Sequence, residues 1–103
     1  MLEEFKKTDE EIVMLTIQDS SYFTEIVRRY EKPLSRYICR LGYFEITDVE
    51  DILQDTFLKI YKNLNGYNSD LKFSSWVYRI THNVTIDFLR KKNNQTRRKL
   101  FSR

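Results

Sequence analysis

Residues 47–92 decide the fold, and they read TDVEDILQDTFLKIYKNLNGYNSDLKFSSWVYRITHNVTIDFLRKK. The first part, up to Leu64, has the apolar spacing of an amphipathic helix rich in acidic residues. The short polar segment NGYNSDLKF follows at 65–73, and the last part has the pattern of an aromatic, basic helix. Two helices of unlike surface suggest two partners, one that favours an acidic surface and one that is itself a polyanion.

Length and composition limit the class of protein. The chain has 103 residues, enough for one domain with a single modest core. Two glycines, one proline and an aromatic content of 15% favour helices over a sandwich or barrel. Cys39 is the only cysteine, so no internal disulfide can form, which favours a reducing cytoplasm. We expect no membrane insertion, because no apolar run approaches the roughly 20 residues of a membrane span.

Charge is divided unevenly along the chain. Residues 1–65 carry 9 Lys/Arg and 13 Asp/Glu, a net of −4, whereas residues 66–103 carry 9 and 2, a net of +7. This asymmetry points to a polyanion as partner of the C-terminal part. A solubilising tail behind a neutral domain is the alternative interpretation.

Apolar periodicity predicts four helices, at about 9–18, 20–41, 47–64 and 74–92. Pro33 lies inside the second, whose apolar stripe continues in phase, so this segment is either one kinked helix or two nearly collinear ones. The third helix is predicted to begin with a capping box of Thr47 and Glu50. Asn93, Asn94 and Gln95 are expected to end the fourth. The predicted fold is an all-α, compact bundle of about four helices.

Three surfaces are candidates for function. On the third helix a second face carries Asp51, Gln54, Asp55, Leu58 and Lys62. This face suits a basic, partly apolar partner helix. On pattern alone, however, a solvated face with one incidental leucine is the simpler interpretation.

The connector at 65–73 and the fourth helix form the other two surfaces. Polar edges, an aromatic ring and a cation in the connector suit unpaired nucleic acid, and these residues are Tyr67, Asn68, Asp70 and Lys72. Phe73 and Trp76 are better explained as core aromatics. The fourth helix aligns groups able to meet bases or phosphates, or to form intrahelical salt bridges: Arg79, Asn83, Asp87 and Arg90. His82 is the only histidine, so it is a poor metal ligand or catalyst, and no motif predicts a cofactor or an enzyme.

Two segments, DVEDILQDTF at 48–57 and FSSWVYRITHNVTIDFLR at 73–90, carry a family resemblance. With the upstream helix sequence, they resemble region 2 of bacterial sigma factors of the extracytoplasmic-function group over about residues 9–92. The resemblance implies a promoter −10 recognition module that docks on core RNA polymerase and performs no catalysis. It implies residues 1–92 as region 2 and 93–103 as the basic, disordered start of an interdomain linker. The domain that reads the −35 element is expected to be absent.

The resemblance also assigns roles to residues. Docking on the coiled coil of the largest polymerase subunit is implied for Asp51, Gln54, Asp55 and Leu58. Contact with the non-template strand of the −10 element is implied for the loop residues Tyr67, Asn68, Asp70 and Lys72, and for Arg79, Asn83 and Arg90 of the fourth helix. Housekeeping sigma factors have two tryptophans where this chain has Arg79 and Ile80, so opening of DNA would rely on a base trapped in the loop. The resemblance also implies an anti-sigma factor as a further partner. A module bound mainly by such a factor, without productive DNA binding, is the alternative.

Overall fold

The computed structural model describes the backbone of residues 6–101 and the side chains of residues 6–96. Between residues 8 and 101 the chain folds into four α-helices and no strand, which confirms the predicted all-α bundle. The helices are α1 (Asp9–Gln18), α2 (Phe23–Leu41), α3 (Ile46–Lys62) and α4 (Phe73–Phe101). Single 3₁₀ turns lie at Ser20–Tyr22 and Leu64–Gly66. The basic residue Arg103 and the acidic start at residues 1–5 lie outside the described residues.

The core forms where the apolar stripes of all four helices meet. One cluster joins α1, α2, the end of α3 and the start of α4, and it consists of Ile12, Val13, Ile26, Tyr30, Leu34, Ile60, Leu64, Phe73 and Val77. A second cluster consists of Ile38, Ile52 and Val84. The partly buried Leu53 and Ile80 pack against both clusters. Burial of these stripes at about 25 cal/mol per Å² of apolar area is the main term that stabilises the bundle.

Four threonines fill core positions that the apolar pattern did not identify. Thr16, Thr56, Thr81 and Thr85 are at most 4% exposed. Each hydroxyl donates to the carbonyl four residues earlier, at 2.7–2.8 Å. This bond satisfies a polar group that would otherwise be costly to bury. Ile17 of α1, in contrast, is apolar but 46% exposed.

The start of α3 differs from the predicted one. Glu45, not Thr47, is the N-cap residue, and its capping-box partner is Asp48 instead of Glu50. The Glu45 N–H donates to Asp48 Oδ2 at 3.1 Å, and Lys92 of α4 donates to the same oxygen at 2.8 Å. The pKa of Asp48 is lowered mainly by the hydrogen bond from Lys92, and less by that from the Glu45 N–H. A tertiary contact therefore favours the earlier start.

The sequence left the continuity of the second helix open and misplaced the end of the fourth. Helix α2 runs unbroken through Pro33, so the segment is one helix. The prediction that residues 93–95 end the last helix is wrong, because α4 continues to Phe101. Asn and Gln disfavour a helix interior only weakly, so they are poor terminators without Gly or Pro. The assignment of residues 93–103 to a linker stays a prediction.

A charged network joins the first turn of α1 to α2. Arg29 donates to Asp9 Oδ1 at 2.9 Å and to Glu25 Oε2 at 2.8 Å, and the Tyr30 hydroxyl donates to Asp9 Oδ2. Arg28 also pairs with Glu25, and its hydrogen bond is the main reason that the pKa of Glu25 falls from 4.5 to about 2. The network holds α1 in register on α2.

The ion pairs of Glu25 make the stability of the fold depend on pH in acidic solution. Because the pKa of Glu25 is lower in the folded chain, its charged form stabilises the fold above about pH 4.5, and this contribution is lost as the pH falls towards 2. Glu25→Gln is therefore expected to lower the free energy of unfolding at pH 7 by about 1 kcal/mol or less, because both ion pairs lie within one helix and the side chain of Arg28 is half exposed. Urea unfolding of both chains should show this difference shrinking near pH 2.5. A difference that is equal at both pH values contradicts the assignment.

Candidate nucleic-acid interface and acidic helix face

The connector between α3 and α4 is ordered by local hydrogen bonds. The Asn63 amide group donates to the Lys59 carbonyl at 2.8 Å, which caps the end of α3. The Tyr67 N–H then bonds the Leu64 carbonyl at 3.2 Å, while the Leu64 side chain is buried. Beyond the turn, Asn68 Oδ1 accepts from the Asp70 N–H at 3.0 Å, an Asx turn. These hydrogen bonds give the connector a defined backbone conformation.

Tyr67 faces inward from this loop. Its ring lies 5.2 Å from the ring of Phe73, edge-on at 79°, and 5.2 Å from that of Trp76. Its hydroxyl donates to the Leu71 carbonyl. The pKa of Tyr67 is raised mainly by burial, and to a smaller extent by the nearby carboxylates of Glu10 and Asp9. Tyr67 therefore shapes the loop, and a role in base stacking stays a prediction.

The other three predicted loop residues point their polar groups to solvent. Asn68, Asp70 and Lys72 are all exposed. Within the described part of the chain, the Asn68 side-chain amino group, the Asp70 carboxylate and the Lys72 amine make no hydrogen bond or ion pair. The loop thus presents two donor groups and one acceptor group to solvent. Such a set can pair with base edges and phosphates.

The predicted residues of α4 lie on its solvent side. Arg79 and Asn83 are exposed and one turn apart, and neither has an ion pair or side-chain hydrogen bond among residues 6–96. Arg90 lies 3.9 Å from Asp87, but these side chains are 70% and 55% exposed, so the pair is weak. The alternative of an extended salt-bridge network along this face is therefore not supported. Ile80 is partly buried and packs against both core clusters.

The acidic face of α3 lies on a separate part of the surface. Asp51, Gln54 and Asp55 are exposed, and none of their side chains has a partner in the described range. Leu58, one turn further, is 49% exposed, and Tyr61 beyond it is 47% exposed. The core residues Ile52, Thr56 and Ile60 occupy the opposite face of the same helix. The four predicted residues thus form one acidic strip with an apolar end.

Sequence reasoning missed a groove between α2 and α4. The groove has a volume of about 230 Å³ and is lined by Pro33, Arg36, Tyr37, Arg40 and Tyr78. The Tyr37 and Tyr78 rings meet edge to face at 5.1 Å, and the Tyr37 hydroxyl lies 3.1 Å from His82 Nδ1. Arg36 and Arg40 are exposed and lack ion pairs within the described region. Their i, i+4 spacing on the polar side of α2 was the available signal.

Neither a metal site nor a membrane span is found in the described part of the chain. No group of three or more His, Cys, Asp and Glu side chains there could hold a metal ion. Among the same residues, every helix is too short or too polar to cross a bilayer.

The two aromatic residues at the start of α4 are core residues, as predicted. Phe73 lies in the core and Trp76 packs against it.

A family model matches the sequence of most of the chain. Residues 26–95, which run from α2 into α4 and include the loop and both exposed faces, match the model of Sigma-70 region 2. The chain belongs to the Sigma-70 region 2 family. The resemblance to the extracytoplasmic-function (ECF) group is confirmed by the relatives described next. The predicted sigma region 2 fold therefore holds across most of the chain.

Curated relatives are ECF sigma factors. The ECF RNA polymerase sigma factor SigW of Bacillus subtilis is 36% identical over 74 residues, which is 72% of this chain and 39% of SigW. The ECF RNA polymerase sigma-E factor of Escherichia coli K12 is 32% identical over 71 residues, 69% of this chain and 36% of that protein. This chain thus spans about two fifths of the length of these relatives.

A solved structure supports the fold comparison. An engineered region 2 of sigmaE, determined by NMR in complex with GTAAAA, superposes with a TM-score of 0.77. It is 30% identical to this chain, and the superposition covers 87% of this chain and 94% of that one. The arrangement of helices is therefore that of a region 2 domain.

Proposed function

We propose that this chain is the promoter-recognition and polymerase-docking module of an ECF sigma factor. It binds the non-template strand of the −10 element and catalyses no reaction itself, since the polymerase performs the chemistry. The observation that carries the proposal is the likeness to an engineered region 2 of sigmaE in complex with GTAAAA, and the exposed polar residues of the loop and α4 support it. Its place of action would be the cytoplasm, where the polymerase and DNA lie.

Docking is assigned to the acidic strip of α3. Exposed Asp51 and Asp55 provide charge that attracts a basic helix during the encounter, and half-exposed Leu58 provides apolar area that the partner can cover. Gln54 lies between the two acids and can form a hydrogen bond across the interface. The partner proposed for this strip is the coiled coil of the largest polymerase subunit.

DNA recognition is assigned to the loop and α4. Unpaired bases expose edges and faces that a duplex hides, and the exposed polar groups of Asn68, Asp70 and Lys72 suit those edges and the adjoining phosphate. Asn83 would contact the upstream edge of the element, and Arg79 and Arg90 would bind its backbone. Tyr67 would support the loop from below through its contacts with Phe73 and Trp76.

Binding to single strands tests this proposal directly. We expect the chain to bind an unpaired strand carrying a −10 element more tightly than the same strand in a duplex, as measured by fluorescence anisotropy at a fixed salt concentration. Asn83→Ala should weaken discrimination at one upstream base while the other positions keep theirs. Equal affinity for strand and duplex would contradict the proposal. It would favour a module bound mainly by an anti-sigma factor.

The groove between α2 and α4 is expected to add phosphate contacts. Arg36 and Arg40, which have no ion pair within the described residues, line this groove together with Tyr78 of α4, the helix assigned to DNA contact. Replacing both by alanine should reduce affinity equally for all sequences and lower the salt slope by about 1 to 2, since each lost phosphate contact removes about one. Lys32→Ala, an exposed cation outside the groove lining, serves as the control. An unchanged slope would exclude the groove from the DNA path.

A further inference from the structure

A carboxylate of α1 bonds the base of the recognition loop. Glu10 Oε2 accepts a hydrogen bond from the Phe73 N–H at 3.0 Å, across 63 residues of sequence. Phe73 is the first residue of α4 and directly follows the loop. The contact is partly buried, so water competes with it less than at an exposed site.

The bond meets two physical requirements at this point. The first N–H groups of a helix have no partner inside the helix, and the Phe73 N–H is one of them. A negative charge near a helix N-terminus is favoured by the helix dipole. Glu10 provides both the acceptor and the charge, from another helix instead of from a local capping residue. The start of α4 is thereby bonded to α1.

Phe73 passes this constraint on to the loop. Its side chain is fully buried, and its ring lies 5.2 Å from that of Tyr67, 5.6 Å from that of Trp76 and 6.0 Å from that of Tyr30. Tyr67 in turn bonds the Leu71 carbonyl, which closes the loop on itself. A shift of the Phe73 backbone would therefore move the aromatic support of the loop.

The residue next to Glu10 makes the support rigid. Asp9 bonds Arg29 and Tyr30 of α2, and the capping box of Thr8 and Glu11 fixes the same turn of α1. The first turn of α1 is thus held by its own cap and by α2 while it bonds α4. Glu10 has little freedom to follow the loop if the loop moves.

We propose that Glu10 is a positioning residue that sets the geometry of the recognition loop. It would act on selection of the base held by the loop, and not on the contact of Asn83, which lies almost three turns further along α4. This inference rests on the proposed function, because it concerns how the same site selects its base. Nothing in the sequence pattern around Glu10 separates it from an ordinary acidic first-turn residue.

Amide exchange and base discrimination together test the role. Two variants change the bond itself: Glu10→Ala removes the acceptor, and Glu10→Gln keeps an acceptor oxygen. Glu31→Ala, which truncates an exposed side chain on α2, is the control. Exchange of the Phe73 and loop amides is followed by NMR, with amides of α2 reporting global unfolding. We expect Glu10→Ala to speed exchange at Phe73 about tenfold or more, as for loss of a bond to a charged group. Glu10→Gln should restore most of the protection, and Glu31→Ala should match the wild type.

Discrimination is measured with a −10 strand substituted at each base in turn. The loop position is defined as the base of the strand at which Asn68→Ala loses discrimination. The upstream position is defined as the base at which Asn83→Ala loses discrimination. Glu10→Ala should reduce discrimination at the loop position and leave the upstream position unchanged. Unchanged exchange at Phe73, or equal losses at both positions, would overturn the inference. A wild-type chain that discriminates at neither position would refute the proposed function, and the specificity role of Glu10 with it.

Discussion

Reversing the charge of Asp55 with Asp55→Lys is expected to weaken binding to the polymerase coiled coil by about 100-fold. Like charges brought together in an interface cost several kcal/mol, and about 1.4 kcal/mol is a factor of ten in affinity. Asp55 is exposed and has no partner among the described side chains, so the fold should tolerate the change. Titration of the coiled coil, followed by anisotropy or calorimetry, measures the effect.

The control for Asp55 is a charge reversal of the same kind elsewhere. Glu31→Lys changes an exposed carboxylate on α2, away from the acidic strip, and should leave affinity for the coiled coil within about twofold, as expected for a charge outside the interface. Leu58→Ala should weaken binding through lost apolar contact, and its effect should depend less on salt than that of Asp55→Lys. If Asp55→Lys binds as well as the wild type, the acidic strip is not the docking face.

Phe73→Ala is expected to lower the free energy of unfolding by about 3–5 kcal/mol. The side chain is fully buried and contacts aromatic rings from α2, the loop and α4. Small domains are stable by only about 5–15 kcal/mol, so this one change removes a large share of the total. Urea denaturation followed by far-UV circular dichroism measures the loss.

Tyr43→Ala provides the matched comparison for Phe73. Its ring is fully exposed in the segment between α2 and α3, so truncation should change the free energy of unfolding by about 0.5 kcal/mol or less. A loss at Phe73 no larger than that at Tyr43 would contradict the placement of Phe73 in the core. It would also remove the physical basis for support of the loop by the aromatic cluster.

The fold class was predictable because most of its information is local and periodic. The stripe on α2, with Ile26, Leu34 and Ile38 fully buried, follows the 3.6-residue period closely. The bounds predicted for α1 are those observed, since Thr8 and Asp19 flank a short apolar pattern. The threonines were missed because a hydropathy pattern does not register a hydroxyl that bonds its own helix.

Helix ends were less predictable, for a reason that α3 illustrates. Two overlapping three-residue spacings, Glu45 with Asp48 and Thr47 with Glu50, are both compatible with a capping box. Lys92 bonds Asp48 from a different helix, and this contact is invisible in the local sequence. The end of α4 was misjudged because single-residue propensities are weak.

Exposure of the predicted site residues other than Tyr67 could be anticipated, but long-range contacts could not. Asp55 and Asn83 lie off the apolar stripes of their helices, so their solvent positions follow from helical spacing. Lys72 lies in the polar connector, where exposure is the usual state of a lysine. The bond from Glu10 to Phe73 and the groove at Arg36 depend on how α1, α2 and α4 pack. No spacing within one helix encodes such contacts.

Selection from a pool of single strands tests the central claim most directly. The 103-residue chain would be mixed, at a fixed salt concentration, with strands that carry a randomised window of about six nucleotides, and bound strands would be sequenced. We predict enrichment of one short consensus that is lost, at separate positions, in Asn68→Ala and Asn83→Ala. A bound pool with the same composition as the input would contradict sequence-specific recognition by this domain.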